Sequence, residues 1–161
     1  MRSRTVGIVL AMSLVLAFSA CTQEWNYTRW RPSPGSLVGR WQLDAASQRF
    51  LADIGKYRLS EHYLDLMSDG RFRMTNMPDW WGNLEPHGQF ESGTGTWALK
   101  KDGWHWGLWL TFEVANGRAA SFVSDSIAVE GQASPYRLHF VLGDPDQDLF
   151  IRLIQGAQAG I

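Results

Sequence analysis

The chain has 161 residues, the length of one domain, and its single Cys excludes an intramolecular disulfide. Its 15 basic and 16 acidic side chains are close to balance and form no basic stripe, which argues against a nucleic-acid partner. The unusual numbers are nine Trp and eight Phe, a bias towards large rings that bury much area and, for Trp, keep a polar edge.

Residues 1–20 have the order of a targeting segment. Arg2 and Arg4 give a positive start, and Val6 to Ala20 carries no charge. That apolar run is short for a membrane-spanning helix, which needs about 20 residues, and fits the apolar region of a signal peptide. The small residues Ser19 and Ala20 immediately before Cys21 resemble a bacterial lipobox, with Phe18 where Leu is usual. The resemblance implies cleavage before Cys21 and acyl chains, palmitate among them, on its sulfur and amine. Two or more chains on one residue give stable membrane attachment. Thr22, rather than Asp, follows the Cys; in Gram-negative lipoproteins this implies the outer membrane, facing the periplasm. Without Arg2 and Arg4, 13 basic residues stand against 16 acidic ones.

Residues 21–36 read as a lipidated Cys and tether, with Pro32, Pro34 and Gly35 and no periodicity. Trp25, Tyr27 and Trp30, beside Arg29 and Arg31, suit either a membrane interface or a return onto the protein wall. The domain is predicted over 37–155, with 156–161 as a tail. From Leu37 the pattern has period two: Leu37, Gly39, Trp41 and Leu43 share one face. A short helix follows, with Asp44 as N-cap, an apolar stripe of Phe50, Leu51 and Ile54, and Gly55 to end it.

The next hairpin has a register set by its residues. A three-residue loop, Ser68-Asp69-Gly70 with Gly70 left-handed, pairs Leu66 with Phe72 and Leu64 with Met74, and sets Asp65 opposite Arg73 as a charge pair. Further on, Trp104, Trp106, Leu108, Leu110, Phe112 and Val114 alternate with mostly polar residues. Pairing Leu99 with Trp104 across residues 100–103 would place Trp97 opposite Trp106. Strands are also predicted at Ala119 to Val129, Tyr136 to Leu142 and Leu149 to Ile154, with 143–148 as the last turn. About eight short antiparallel strands and one helix predict an all-β barrel or sandwich.

Gly39-Arg40-Trp41 opening the first strand resembles the calycin superfamily, lipocalins included. That resemblance implies an Arg near the last strand packing over Trp41, and Arg152 is the candidate. Alternation puts Arg152 out of phase with Leu149, Ile151 and Leu153, so the contact would need a bulge or a place at the barrel end. The chain is also similar to small bacterial β-domains through Leu37 to Trp41, Asp69 to Phe72, Gly93 to Trp97 and Gly143 to Asp146, a likeness that implies no function.

Candidate chemistry is sparse. No Gly-x-Ser-x-Gly elbow occurs, and lipidation would consume the sole Cys. His62, His87, His105 and His139 show no close ligand spacing; His105 and His139 could meet only through the fold. Asp144, Asp146 and Asp148 alternate as in some calcium loops, but lack the following Gly and the bidentate Glu, and suit a turn better. No metal and no cofactor are expected. Asn76 to Gly93 is long for a hairpin connection, and its Trp80 and Trp81 either plug one barrel mouth or contact a sugar or protein. Trp97, Trp104 and Trp106 read as core before pocket. Gly39, Trp41, Gly70 and Arg152 are expected to be structural.

The functional expectation is a non-enzymatic, lipid-anchored envelope barrel that binds a small apolar ligand. The rival readings are a protein-interaction module, such as an immunity or envelope-assembly accessory, and a hydrolase.

Overall fold

The structure is a computed structural model that describes residues 26–54, 61–78, 88–124, 126–141 and 150–156. Nine strands follow in chain order: β1 (Gly39–Leu43), β2 (Tyr63–Leu66), β3 (Arg71–Pro78), β4 (Phe90–Asp102), β5 (His105–Ala115), β6 (Arg118–Val123), β7 (Ile127–Glu130), β8 (Arg137–Val141) and β9 (Phe150–Gln155). A helix, α1 (Ala45–Asp53), joins β1 to β2. Strands consecutive in sequence pair antiparallel around the wall, except that β6 and β7 each pair with β5, and β1 closes on β9. The result is a closed eight-stranded barrel, with β6 and β7 sharing one position along β5.

Alternation decides what enters the barrel. Trp41, Leu43, Leu64, Leu66, Phe72, Met74, Leu108, Leu110, Phe112, Ile127, Val129, Leu138, Ile151 and Leu153 form one buried cluster. The intervening residues of these strands point outwards. Phe72 and Phe112 meet edge to face at 5.0 Å between ring centroids. The Trp41 indole N–H, which burial would otherwise strand, donates to Leu37 O at 2.8 Å. Asp44 caps α1 by accepting from Ser47 N at 2.7 Å, and Leu51 joins the core from the helix.

The β2–β3 hairpin has the expected register, with Leu66 opposite Phe72, Leu64 opposite Met74 and Gly70 at φ +82°. Asp65 does stand opposite Arg73, but its ion pair is with Arg40 on β1, Nε to Oδ1 at 2.8 Å and Nη2 to Oδ2 at 2.9 Å. Arg40 wins because it lies directly across on the other side and presents a bidentate fork.

Three other expectations are corrected. The β4–β5 hairpin turns through two residues, Gly103 and Trp104, so Leu99 meets Leu108 and Trp97 meets Leu110. Gly103 at φ +57° supplies the tight loop, and both strands run further than the proposed four-residue turn allows. The span Ala119 to Val129 breaks between β6 and β7 instead of forming one strand. Val114 lies 38 % exposed, because the register shift after Phe112 pairs it with outward Thr94 and gives the inward place opposite Gly93 to Ala115.

Gly93 and Gly95 allow the wall to close. A Cβ on Gly95 would stand 1.9 Å from Thr111 O, and one on Gly93 would stand 2.8 Å from the Phe112 ring. Gly95 also sits at a register shift between β4 and β5. Gly95→Ala should therefore cost about 1–3 kcal/mol by forcing the two strands apart. Urea unfolding would measure it, with the exposed Thr96→Ala expected within about 0.5 kcal/mol of the parent.

Candidate functional site

Where β5 and β7 part beyond Gly107–Ala128, a piece of the supposed tether fills the gap. Thr28 N donates to Val129 O at 2.8 Å, Trp106 N donates to Thr28 O at 3.1 Å, and Gly131 N donates to Asn26 O at 2.7 Å. Residues 26–28 are thus a short strand of the wall, not free linker. Thr28 is buried on the inward side, and Tyr27 bridges Glu130 on the outer side. Three residues are too few for a period of two to declare itself, which is why the sequence pattern did not reveal them.

Tyr27 roofs a patch of the outer wall. Its ring lies 5.8 Å from Trp104, 5.1 Å from His105 and 5.3 Å from His139, centroid to centroid. Its hydroxyl shares a 3.2 Å hydrogen bond with His139 Nδ1. His139 stands outward on β8, yet is only 1 % exposed, because Tyr27 and Phe150 cover it. The fold therefore does bring His105 and His139 together, both against one phenol ring. Among the described residues, no group of three His, Cys, Asp or Glu side chains could hold a metal.

Burial and the neighbouring Arg152 push the His139 imidazole down to about 4, and burial followed by the Glu130 charge pushes the Tyr27 phenol up to about 12. Both groups are thereby held neutral across ordinary pH. A proton-transfer pair works best with pKa values near the operating pH, so this one has the character of a lock on the N-terminal segment.

Arg152 does not pack over Trp41. It points outwards, with its guanidinium 4.7 Å from the Phe150 ring centroid and Nε 2.8 Å from Glu130 Oε2, a charge contact more than an aligned hydrogen bond. Alternation accounts for this: Ile151 and Leu153 occupy the inner face on either side. Gly39 begins β1 at φ +136° opposite Leu66, as a structural residue would.

The Trp residues divide. Trp97 is half-buried against the core and its N–H donates to Met67 O at 3.0 Å. Trp106 is half-buried beneath the Arg31 guanidinium, 5.4 Å from the ring centroid. Trp104, expected in the core, sits in the hairpin turn and is 52 % exposed, stacked on Tyr27 and faced by Arg29 at 5.8 Å. Trp30 between those two arginines is 75 % exposed. Of the two readings for Tyr27 and Trp30, the structure divides them: Tyr27 returns to the wall and Trp30 stays in solvent. Cys21, Trp80, Trp81, His87, Asp144, Asp146 and Asp148 lie outside the described residues. The strand ends flanking Trp80 and Trp81, Pro78 and Phe90, stand opposite one another in the β3–β4 pair.

One pocket of about 350 Å³ opens on the outer wall, between α1 and the outward residues of β1 and β2, lined by Arg40, Gln42, Gln48, Glu61, His62 and Tyr63. Its Arg40 is already engaged with Asp65 and lies 4.0 Å over the Tyr63 ring. His62 is held by the carbonyl of Asn76 and by the Phe90 ring. No protein-family model, curated protein or solved structure matches the chain.

The His139 lock makes a stability prediction. An unfolded His binds a proton near pH 6.5, whereas the folded one resists until about 4. The unfolded chain holds more protons between these values, so stability is complete above about pH 6.5 and falls towards pH 4, by up to about 1.4 kcal/mol per pH unit. Melting curves over this window should show the decline, and His139→Phe should flatten it.

Proposed function

We propose that this protein is a lipid-anchored β-barrel of the bacterial cell envelope that acts without catalysis, as an interaction module presenting its outer surfaces. The observation that carries this reading is the filling of the barrel. Trp41, Phe72, Phe112 and Met77 are essentially unexposed, and the surrounding Leu and Ile side chains complete one continuous cluster. An eight-stranded barrel has room for side chains or for one small ligand, and here side chains take the interior. The filled interior favours the interaction reading over the small apolar ligand first expected from the sequence. Among the described residues, Tyr27 and His139 engage one another, as do Arg152 and Glu130.

The address rests on the leader: Arg2, Arg4, the uncharged run to Ala20, and Cys21. Acylation there would place the domain on a membrane, with Thr22 favouring the outer membrane and its periplasmic face. The connection from β3 to β4 that bears Trp80 and Trp81 is the proposed partner contact, since Trp is enriched among residues that dominate binding.

Two measurements test the reading. Cys21→Ser should move the protein from membrane to soluble fractions, and unchanged fractionation would remove the anchor. Mass spectrometry of an organic extract of the purified protein should find no stoichiometric apolar compound beyond the covalent acyl chains. A bound compound at one per protein would restore the ligand-binding barrel.

A further inference from the structure

We infer that the barrel end carrying Trp30 and Trp104 rests against an anionic phospholipid surface, with Arg29 and Arg31 reaching the headgroups and the α1 end pointing away. This rests on the lipid-anchor reading of Cys21 and adds the orientation of the domain on its membrane.

The first support is reach. Asn26 is held to Gly131, and Thr28 to Val129 and Trp106. Only five peptide steps separate Cys21 from Asn26. Whatever its conformation, a chain of that length spans at most about 18 Å. A lipid on Cys21 therefore keeps this end of the barrel close to the bilayer. Had residues 26–28 been free linker, the domain could have tumbled at a greater distance; their pairing into the wall removes that slack.

The second support is chemistry at the end so tethered. Trp30 and Trp104 are the most exposed of the large apolar side chains described, at 75 % and 52 %. Arg29 stands over Trp104 and Arg31 over Trp106, which makes one patch of rings and cations around residue 30. Amphipathic rings settle at the boundary between headgroup and acyl chain, and Arg is drawn to anionic headgroups there. The domain as a whole is weakly acidic, so the paired arginines beside the anchor stand against the overall charge.

The third support is polarity along the barrel. β5 runs from His105 beside this patch to Ala115, and its partner strand places Phe122 opposite Phe112, towards the far end. Eleven strand residues extend roughly 35 Å. The flanks of the Trp80–Trp81 loop, Pro78 and Phe90, leave the wall at that same far end, because β4 antiparallel to β5 brings Gly93 to Ala115. The strand ends that flank the proposed partner segment thus lie at the end away from the membrane.

A thiol label tests this directly. Acylation would consume the thiol of Cys21, so Trp30→Cys and, separately, Phe122→Cys each offer one labelling site in the full acylated chain. With an environment-sensitive fluorophore attached, each protein is reconstituted into vesicles of phosphatidylethanolamine and phosphatidylglycerol that carry a headgroup nitroxide quencher. The expected result is strong quenching at position 30 and little at position 122. Equal quenching at both, or none at 30, overturns the orientation and leaves the anchor intact. Adding Arg29→Ala and Arg31→Ala should weaken quenching at position 30 on these vesicles but not on phosphatidylcholine alone; no change on either overturns the headgroup contact. Intact-mass measurement of the membrane-extracted protein separates the remaining case: an unmodified Cys21 overturns the anchor, and the orientation with it.

Discussion

Closing eight strands on themselves leaves a small interior, and what occupies it constrains everything else about this molecule. Trp41 from β1, Phe72 from β3 and Phe112 from β5 fill that space together with Leu, Ile and Met side chains from the remaining wall. Close-packed interiors have density near that of organic crystals, so such a filling leaves little freedom for a guest. On the interaction reading proposed, recognition falls to the outer wall and to the two ends. The close approach of β4 to β5 at Gly93 and Gly95 belongs to the same constraint, since side chains there would collide with Thr111 and Phe112.

The outer wall is not uniform. On one side Arg40, Asp65 and Tyr63 form a solvent-facing charge and ring contact of modest energetic worth. On another, Tyr27 converts an ordinary sheet surface into a second, smaller buried layer. His139 lies beneath it, neutral, in contact with the phenol and beside the charged pair of Arg152 and Glu130. This arrangement attaches the N-terminal segment to the strand gap between β5 and β7. A segment that looks like linker thereby becomes structure.

Two ends with different character follow from this topology. One carries the N-terminal segment, the Gly103–Trp104 turn and the exposed rings with their arginines. The other carries α1 and the ends of β3 and β4 from which the Trp80–Trp81 loop departs. An anchored protein of the kind proposed, with one end for the membrane and another for a partner, would need no cavity and no catalytic group. The filled interior fits that division of labour.

Amino-acid order alone determined the all-β antiparallel class, the helix after the first strand and the β2–β3 register. Each depends on local rules: two-residue alternation, an Asp cap, and Gly70 in a left-handed turn. The opposite facing of Arg152 and Trp41 also follows from alternation, which prevailed over the family likeness. Tertiary structure alone decided the rest. Tyr27 and Thr28 joined the wall because distant strands parted to leave a gap, and no local pattern encodes that. Asp65 chose Arg40 over Arg73 because a strand has two neighbours and the hairpin reveals only one. Trp104 left the core because strand length, set by pairing along the whole hairpin, placed it in the turn. His105 and His139 met because the closed sheet curved them onto one phenol ring, a relation fixed by geometry across the chain and not by spacing along it.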